Sequence, residues 1–192
     1  MDDLLLASPT QGDCWRGTKA LVALLSTTGY KVSWEKAQIC RQEVKYLGFV
    51  ISKRHRVLGH DRKQAICSIP WPNSKKEVYE FLGAARFHRV WIPGFSEIAK
   101  PLFKATAGSG KEPLEWGHEQ EKTFKEIKRL LTSAPALGLP DVIRDFNLFV
   151  HEKNHTVLGV LTQAVRPWQH SVTYLSKQLD PVAAGWPPCS RH

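Results

Sequence analysis

Acidic residues are in short supply in this chain: 18 Asp and Glu face 27 Lys and Arg, for a formal charge of +9. An imbalance of that size suits a polyanionic partner, although where the charge sits matters more than its sum. Cysteine is sparse as well. Cys14, Cys40, Cys67 and Cys189 are scattered without a Cys-x-x-Cys pair. That argues against a zinc site or a disulfide frame, and for reduced thiols in an intracellular protein of cytoplasm or nucleus. Long apolar runs are missing; the densest, Leu21 to Leu25, falls far short of the roughly 20 residues that cross a bilayer. No basic stretch leads into an apolar core at the N-terminus, so neither a secretory signal nor a membrane partner is expected. The segment "AGSGKEP" lacks both the Walker spacing and a Ser or Thr after its lysine, and no Gly-x-Ser-x-Gly elbow occurs. A P-loop phosphate site and a serine-hydrolase centre are thereby set aside.

What remains has the composition of a globular protein, 42% hydrophobic and 23% charged over 192 residues, enough for one ordinary domain or two small ones. "LLLAS", beginning at Leu4, reads as a short buried strand because its leucines leave no polar face. In "CWRGTKALVALLSTTG", Leu21, Leu24, Leu25 and Thr28 share one helical face, and Gly29 is placed to end the helix. "YKVSW" and "EVKYLGFVIS" read as strands, the second running through Val44, Tyr46 and Leu47 to Gly48, where the backbone can come close to a neighbour. The basic tip Lys53, Arg54, His55, Arg56 reads as a solvated turn.

The Pro-rich "IPWPNS" marks a junction, and Ser74 with Glu77 three residues on opens a helix as a capping box. Val78, Phe81, Leu82 and Ala85 then fall at i, i+3, i+4 and i+7 on one face. Two more helices are expected, "SEIAKPLFKAT" and "HEQEKTFKEIKRLLTS". The latter has a stripe of Phe124, Ile127, Leu130 and Leu131 and a Glu121–Lys125 pair at i, i+4. Farther on, Phe146, Leu148 and Val150 alternate as in a half-buried strand, and "TVLGVLTQ" and "SVTYLS" continue a meander. His151 and His155 have the i, i+4 spacing of zinc ligands on a helix, but they follow a strand and no third ligand is evident.

Taken together, "DDLLLA", "YLGF", "EFLGAARFHRVWIPGFSEIAKPL", "APALGLPD" and "YLSKQLDPVAAGWPPC" resemble, in order and spacing, the reverse transcriptase of gammaretroviral Pol. The resemblance implies an α/β (α+β) fold in three parts. Residues 1–69 would be the C-terminal part of the palm, a partial sheet with a helix. Residues 70–139 would be a three-helix thumb, and residues 140–192 a truncated connection domain of ribonuclease H type. It further implies descent from an RNA-directed DNA polymerase, of the kind found as endogenous retroviral fragments, with a template–primer duplex of RNA or DNA as partner. The expectation is a fragment without polymerase activity of its own; the alternative is a non-enzymatic nucleic-acid-binding module built on the basic thumb helix.

The same resemblance assigns residues. Met1-Asp2-Asp3 matches the last three positions of the family's Tyr-X-Asp-Asp, so Asp2 and Asp3 would be vestigial catalytic carboxylates of an incomplete magnesium site. Two divalent ions on such carboxylates lower the pKa of the primer 3′-hydroxyl and neutralise the departing pyrophosphate. Magnesium belongs to the parent family, and none is expected to be bound by this chain. Tyr46, Leu47, Gly48 and Phe49 resemble the primer grip, or else form an ordinary strand with its glycine. Lys75, Lys76, Arg86 and Arg89, with His88 and with Phe87 and Trp91 interleaved, would follow the duplex backbone; otherwise they are a solvated basic face over two core aromatics. His151 stands where relatives usually carry an aspartate.

Overall fold

The computed structural model describes residues 3–108, 112–165, 167–180, 182 and 185. Helix α1 spans Gln11–Thr27. Thr10 caps it by accepting from the Asp13 N–H at 3.1 Å, and Gly29 follows it at φ +83°. None of its residues is buried; Leu24 on the expected apolar face is 60% exposed. The leucines before it form no strand. Leu4, Leu5 and Leu6 are exposed, and only Leu6 leans on α1, at Gly17. "YKVSW" is likewise no strand but an open segment ending in a short 3-10 turn, Trp34–Lys36, with Tyr30 and Trp34 exposed. Both corrections have one cause. A strand needs a hydrogen-bonding neighbour, and among the described residues none lies beside either segment.

The expected single strand around Gly48 is a hairpin instead. β1 (Val44–Tyr46) turns through Leu47 and Gly48 into β2 (Phe49–Ile51), with Tyr46 opposite Phe49. Leu47 and Gly48 have φ of +50° and +82°, the left-handed pair that matches the twist of a two-residue hairpin loop. β3 (His55–Leu58) pairs with β2, and β4 (Leu137–Gly138) with β3, giving an antiparallel sheet β1-β2-β3-β4. Helix α2 (His60–Cys67) follows β3. The basic tip is therefore only partly a turn, since His55 and Arg56 are in β3.

Helix α3 (Lys75–Phe87) starts as expected at Ser74, whose Oγ accepts from the Glu77 N–H at 3.3 Å. The reciprocal bond is displaced by one residue, with Glu77 Oε2 accepting from Asn73 N–H at 2.7 Å. Val78, Phe81, Leu82 and Ala85 are all buried. The next expected helix is split into α4 (Phe95–Ile98) and α5 (Lys100–Ala105), because Pro101 has no N–H to carry the ladder across. α6 (His118–Thr132) buries Phe124, Ile127 and Leu131, and its Glu121–Lys125 pair closes at 2.6 Å. One core joins these helices to the first sheet: Leu58 of β3 and Ile66 of α2 belong to the cluster with Phe81, Leu102, Phe124, Ile127 and Leu131.

The second sheet is an antiparallel meander of β5 (Phe146–Lys153), β6 (Thr156–Val165) and β7 (Trp168–Gln178). Its first turn is again a left-handed pair, Asn154 and His155 at φ +52° and +56°. The sheet docks through β7. Ser96 N–H donates to Ser176 Oγ at 2.9 Å, Ser96 Oγ donates to the Ser176 carbonyl at 2.8 Å, and Arg56 Nη2 donates to the Val172 carbonyl at 3.3 Å. β5, on the far side, is not half-buried as expected. Phe146, Leu148 and Val150 share a face, but each is more than 40% exposed. The arrangement is the expected mixture of helix and antiparallel sheet.

Candidate nucleic-acid interface

The hairpin tip is held in place by close backbone packing. The Gly48 carbonyl accepts from the Gly59 N–H at 3.1 Å, and a Cβ at Gly48 would meet Arg62 Nε at 2.4 Å. Glycine is favoured at that φ, and any side chain there would have to displace the Arg62 side chain. Leu47 at the apex is 53% exposed. Behind the tip, Phe49 stacks on Trp91 at 5.2 Å and on Phe87 at 6.4 Å between ring centroids, which fixes the hairpin against the C-terminal end of α3. Arg86 and Arg89 leave that end into solvent, and neither has an acidic partner among the described residues. Hairpin tip, exposed Phe87 and the Arg62 side chain thus belong to one neighbourhood, and exposed Arg86 and Arg89 border Phe87 and His88 in the chain.

The residues named from the sequence divide into two groups. Tyr46, Leu47, Gly48 and Phe49 come together in the hairpin, and Arg86 and Arg89 are exposed on either side of Phe87 and His88 in the chain, where α3 ends. Lys76 is also exposed, but it sits at the other end of α3 with Glu80 3.9 Å away. Lys75 is interior: its Nζ donates to the Ala107 carbonyl at 2.7 Å and to Glu112 Oε2 at 2.8 Å. Trp91 is 1% exposed and presents no face to a ligand. Periodicity alone would have placed Lys75 inside, since Val78 and Leu82 lie three and seven residues farther along the same stripe. Arg62 was not singled out from the sequence. Its signal was present in "HDRK", the first turn of α2, which reads as part of a turn until β3 is recognised.

Arg56 and His88 support the interface from inside. The Arg56 guanidinium lies 5.4 Å from the Trp91 ring centre, and burial pulls its pKa below the ordinary value. Burial also pulls the His88 imidazole below its usual range. The Ala84 carbonyl, bonded to Nδ1 at 2.8 Å, opposes this, while the nearby Arg62 charge adds to it. His88 is therefore neutral at pH 7, with Nδ1–H donating to Ala84.

The metal carboxylates fare differently. Asp3 is exposed, and Asp2 lies outside the described residues. Among the described residues no three His, Cys, Asp or Glu side chains gather closely enough to hold an ion. The residues described do not by themselves fit a magnesium site, and no catalytic step is assigned to them. His151 and His155 are on β5 and in the turn after it, with no third ligand in reach among the described residues. Among the described residues no helix is long and apolar enough to cross a membrane.

Comparison with known proteins supplies the family. Residues 1–51 match the family "Reverse transcriptase (RNA-dependent DNA polymerase)", and residues 116–192 match "RNase H-like domain found in reverse transcriptase". The Gag-Pol polyprotein of avian reticuloendotheliosis virus is 52% identical over 191 residues, covering 100% of this chain and 16% of the polyprotein. The Pol polyprotein of feline endogenous virus ECE1 is 51% identical, and the Gag-Pol polyprotein of feline leukemia virus 50%, with 18% and 11% of their lengths covered. The chain thus spans less than a fifth of each of these relatives. Among solved structures, a foamy viral protease-reverse transcriptase in complex with double-stranded DNA superimposes with TM-score 0.87 at 25% identity, over 97% of this chain and 32% of that one. A second, in complex with an RNA/DNA hybrid, gives TM-score 0.84 at 26% identity over 97% and 25%. Reverse transcriptases and ribonuclease H-like enzymes as families depend on divalent metal. The chain is accordingly a stretch of gammaretroviral Pol reverse transcriptase, in which a reverse-transcriptase segment runs into an RNase H-like domain.

Proposed function

We propose that this stretch serves RNA-directed DNA polymerisation by seating the template–primer duplex, with the Leu47-Gly48 hairpin tip against the backbone at the primer end. In this reading Arg62, Arg86 and Arg89 neutralise phosphates alongside. The observation that carries it is the hairpin itself: a tip whose glycine, at positive φ, lies against the exposed Arg62 side chain, braced by the Phe49–Trp91 and Phe49–Phe87 stacks. Contacts of this kind position a duplex without reading its sequence, so affinity should depend on salt and not on base order. The complexes of the foamy viral relatives with duplexes support the same partner class. Lys75, Lys76 and Trp91 are left out of this surface on their placement, and residues 1–69, 70–139 and 140–192 remain the proposed division into palm, thumb and connection parts. Inside an infected or expressing cell the work would be done in the cytoplasm or nucleus.

Fluorescence anisotropy with a labelled RNA/DNA hybrid tests this directly. Binding should weaken as salt rises, and removing Arg86 and Arg89 together should lower the slope of log K against log salt by about two. Binding with no salt dependence, or a double variant indistinguishable from the parent chain, overturns the assignment.

A further inference from the structure

Arg56 stands where the two sheets and the helical region meet. Its backbone lies in β3, opposite Ile51 of β2 and Leu137 of β4. Its guanidinium lies 5.4 Å from the Trp91 ring centre, and Nη2 donates to the Val172 carbonyl of β7 at 3.3 Å, across 116 residues of chain. Trp91 in turn stacks at 5.2 Å on Phe49, the first residue of β2 after the hairpin tip. One side chain thus links the second sheet, by way of Trp91, to the strand that carries the tip.

The second sheet is shaped for this contact. β6 and β7 pair in regular register except at one place: Leu161 faces Thr173 and Thr162 faces Ser171, so Val172 is the extra residue of a bulge. A bulge drops a residue out of the ladder and re-aims it. Here the re-aimed residue is 4% exposed, and its carbonyl accepts from Arg56. The same stretch of β7 lies close against β4. A Cβ at Gly138 would sit 3.4 Å from His170 Cβ and 3.5 Å from the Ser171 carbonyl.

Stability is a poor account of Arg56 itself. Its Nε is buried without a hydrogen-bond partner, and burial is the cause of its lowered pKa, with no carboxylate offsetting it. Exchanging a buried, under-paired charge for an apolar side chain of similar size is often neutral or stabilising. What the arginine adds over such a side chain is direction: a donor fixed on the bulge and a flat cation against Trp91.

We propose that Arg56 is a positioning residue for duplex contact, tying the hairpin tip to the bulge of β7 so that docking of the second sheet sets where Leu47 and Gly48 meet the duplex. The inference rests on the duplex-seating role proposed above for the tip. Arg56 itself touches no phosphate; it acts through Trp91 and Phe49. That separates it from Arg86 and Arg89, whose loss changes the charge presented to the duplex.

Two measurements on the 192-residue chain test this. In anisotropy with a labelled RNA/DNA hybrid, Arg56→Met should weaken binding about three- to ten-fold while leaving the slope of log K against log salt unchanged. Arg56→Lys, which keeps a cation and a donor, should recover part of the affinity. In hydrogen exchange of the free chain, Arg56→Met should speed exchange in the β1–β2 hairpin and around Val172, with α3 and α6 keeping their protection. Three results would each overturn the proposal: affinity unchanged by Arg56→Met, a salt slope lowered by about one as for a direct phosphate contact, or protection lost evenly from α3 and α6. If the parent chain binds no duplex, the seating role falls by itself. Exchange then decides the link separately: faster exchange confined to the hairpin and the bulge supports it, and an unchanged hairpin overturns it.

Discussion

Helix α3 and strand β5 both carry a clean apolar stripe, and they end in opposite surroundings. On α3, Val78, Phe81 and Leu82 are between 1% and 2% exposed; on β5, Phe146, Leu148 and Val150 are between 42% and 56% exposed. Periodicity defines which side chains share a face. It does not supply the surface that covers them. For α3 that surface is α5, α6 and the end of the first sheet, gathered from across some seventy residues of chain. For β5 it is missing from one edge and both faces of the described structure.

The largest break in that contrast should come from truncating one aromatic on each element. Phe81→Ala removes a ring packed 4.3 Å from Phe124 in the core and should cost about 3–5 kcal/mol. Phe149→Ala in dilute solution should change stability by less than about 0.5 kcal/mol. Urea denaturation of the two variants reads both numbers, and equal losses would refute the described burial.

A smaller contrast lies within one turn of α3. Lys75→Ala deletes the donor to Ala107 and Glu112 and should cost about 1–3 kcal/mol, while Lys76→Ala on the solvent side should cost under about 0.5 kcal/mol. If Lys76 instead proved the costlier loss, the two lysines would have been assigned to the wrong faces. Two of the left-handed glycines, Gly48 and Gly29, sharpen the comparison further. Gly48→Ala combines backbone strain with a clash at Arg62 and should cost about 2–3 kcal/mol, together with a measurable drop in duplex affinity. Gly29→Ala has open space around it and should show only the backbone part, about 1–2 kcal/mol, with duplex binding untouched.

The smallest effect is pH-dependent. His88 has its folded-state pKa below the ordinary 6.5, so folding favours the neutral ring. Its contribution is complete above pH 6.5 and is lost as pH falls from there through the folded-state value, by at most about 1.4 kcal/mol per pH unit for one proton. Thermal melts between pH 7.5 and 5 should show this decline in the parent chain and less of it in His88→Gln. A decline on raising the pH would have the wrong sign for a buried neutral histidine.

Much of this structure was legible residue by residue. The Ser74 cap, the α3 and α6 stripes, the Glu121–Lys125 pair and the three-strand order of the meander all depend on neighbours within a few positions, and all were found. The misreadings were of two kinds. "LLLAS" and "YKVSW" have strand-like composition, but a strand exists only through a partner that composition does not reveal. The single strand expected at Tyr46–Phe49 is a hairpin because Leu47, a residue seldom found at positive φ, occupies the turn in place of the usual Asn or Asp. At the candidate interface, the sequence named segments but could not sort which of their side chains are exposed. Lys75 and Trp91 carried the expected chemistry and lie inside, while Arg62 lay in a stretch read as a turn.

Local pattern by itself determined where helices begin, which face of each is apolar, and, through long ordered blocks, the ancestry in retroviral Pol. Tertiary structure alone decided which of those faces are covered. It brought Phe49, Phe87 and Trp91 together behind the hairpin tip, and it left β5 open. The reason is the range of the forces involved: caps, turns and helical stripes are set by contacts within about one turn of the chain, whereas burial depends on surfaces far away in sequence that only folding brings near.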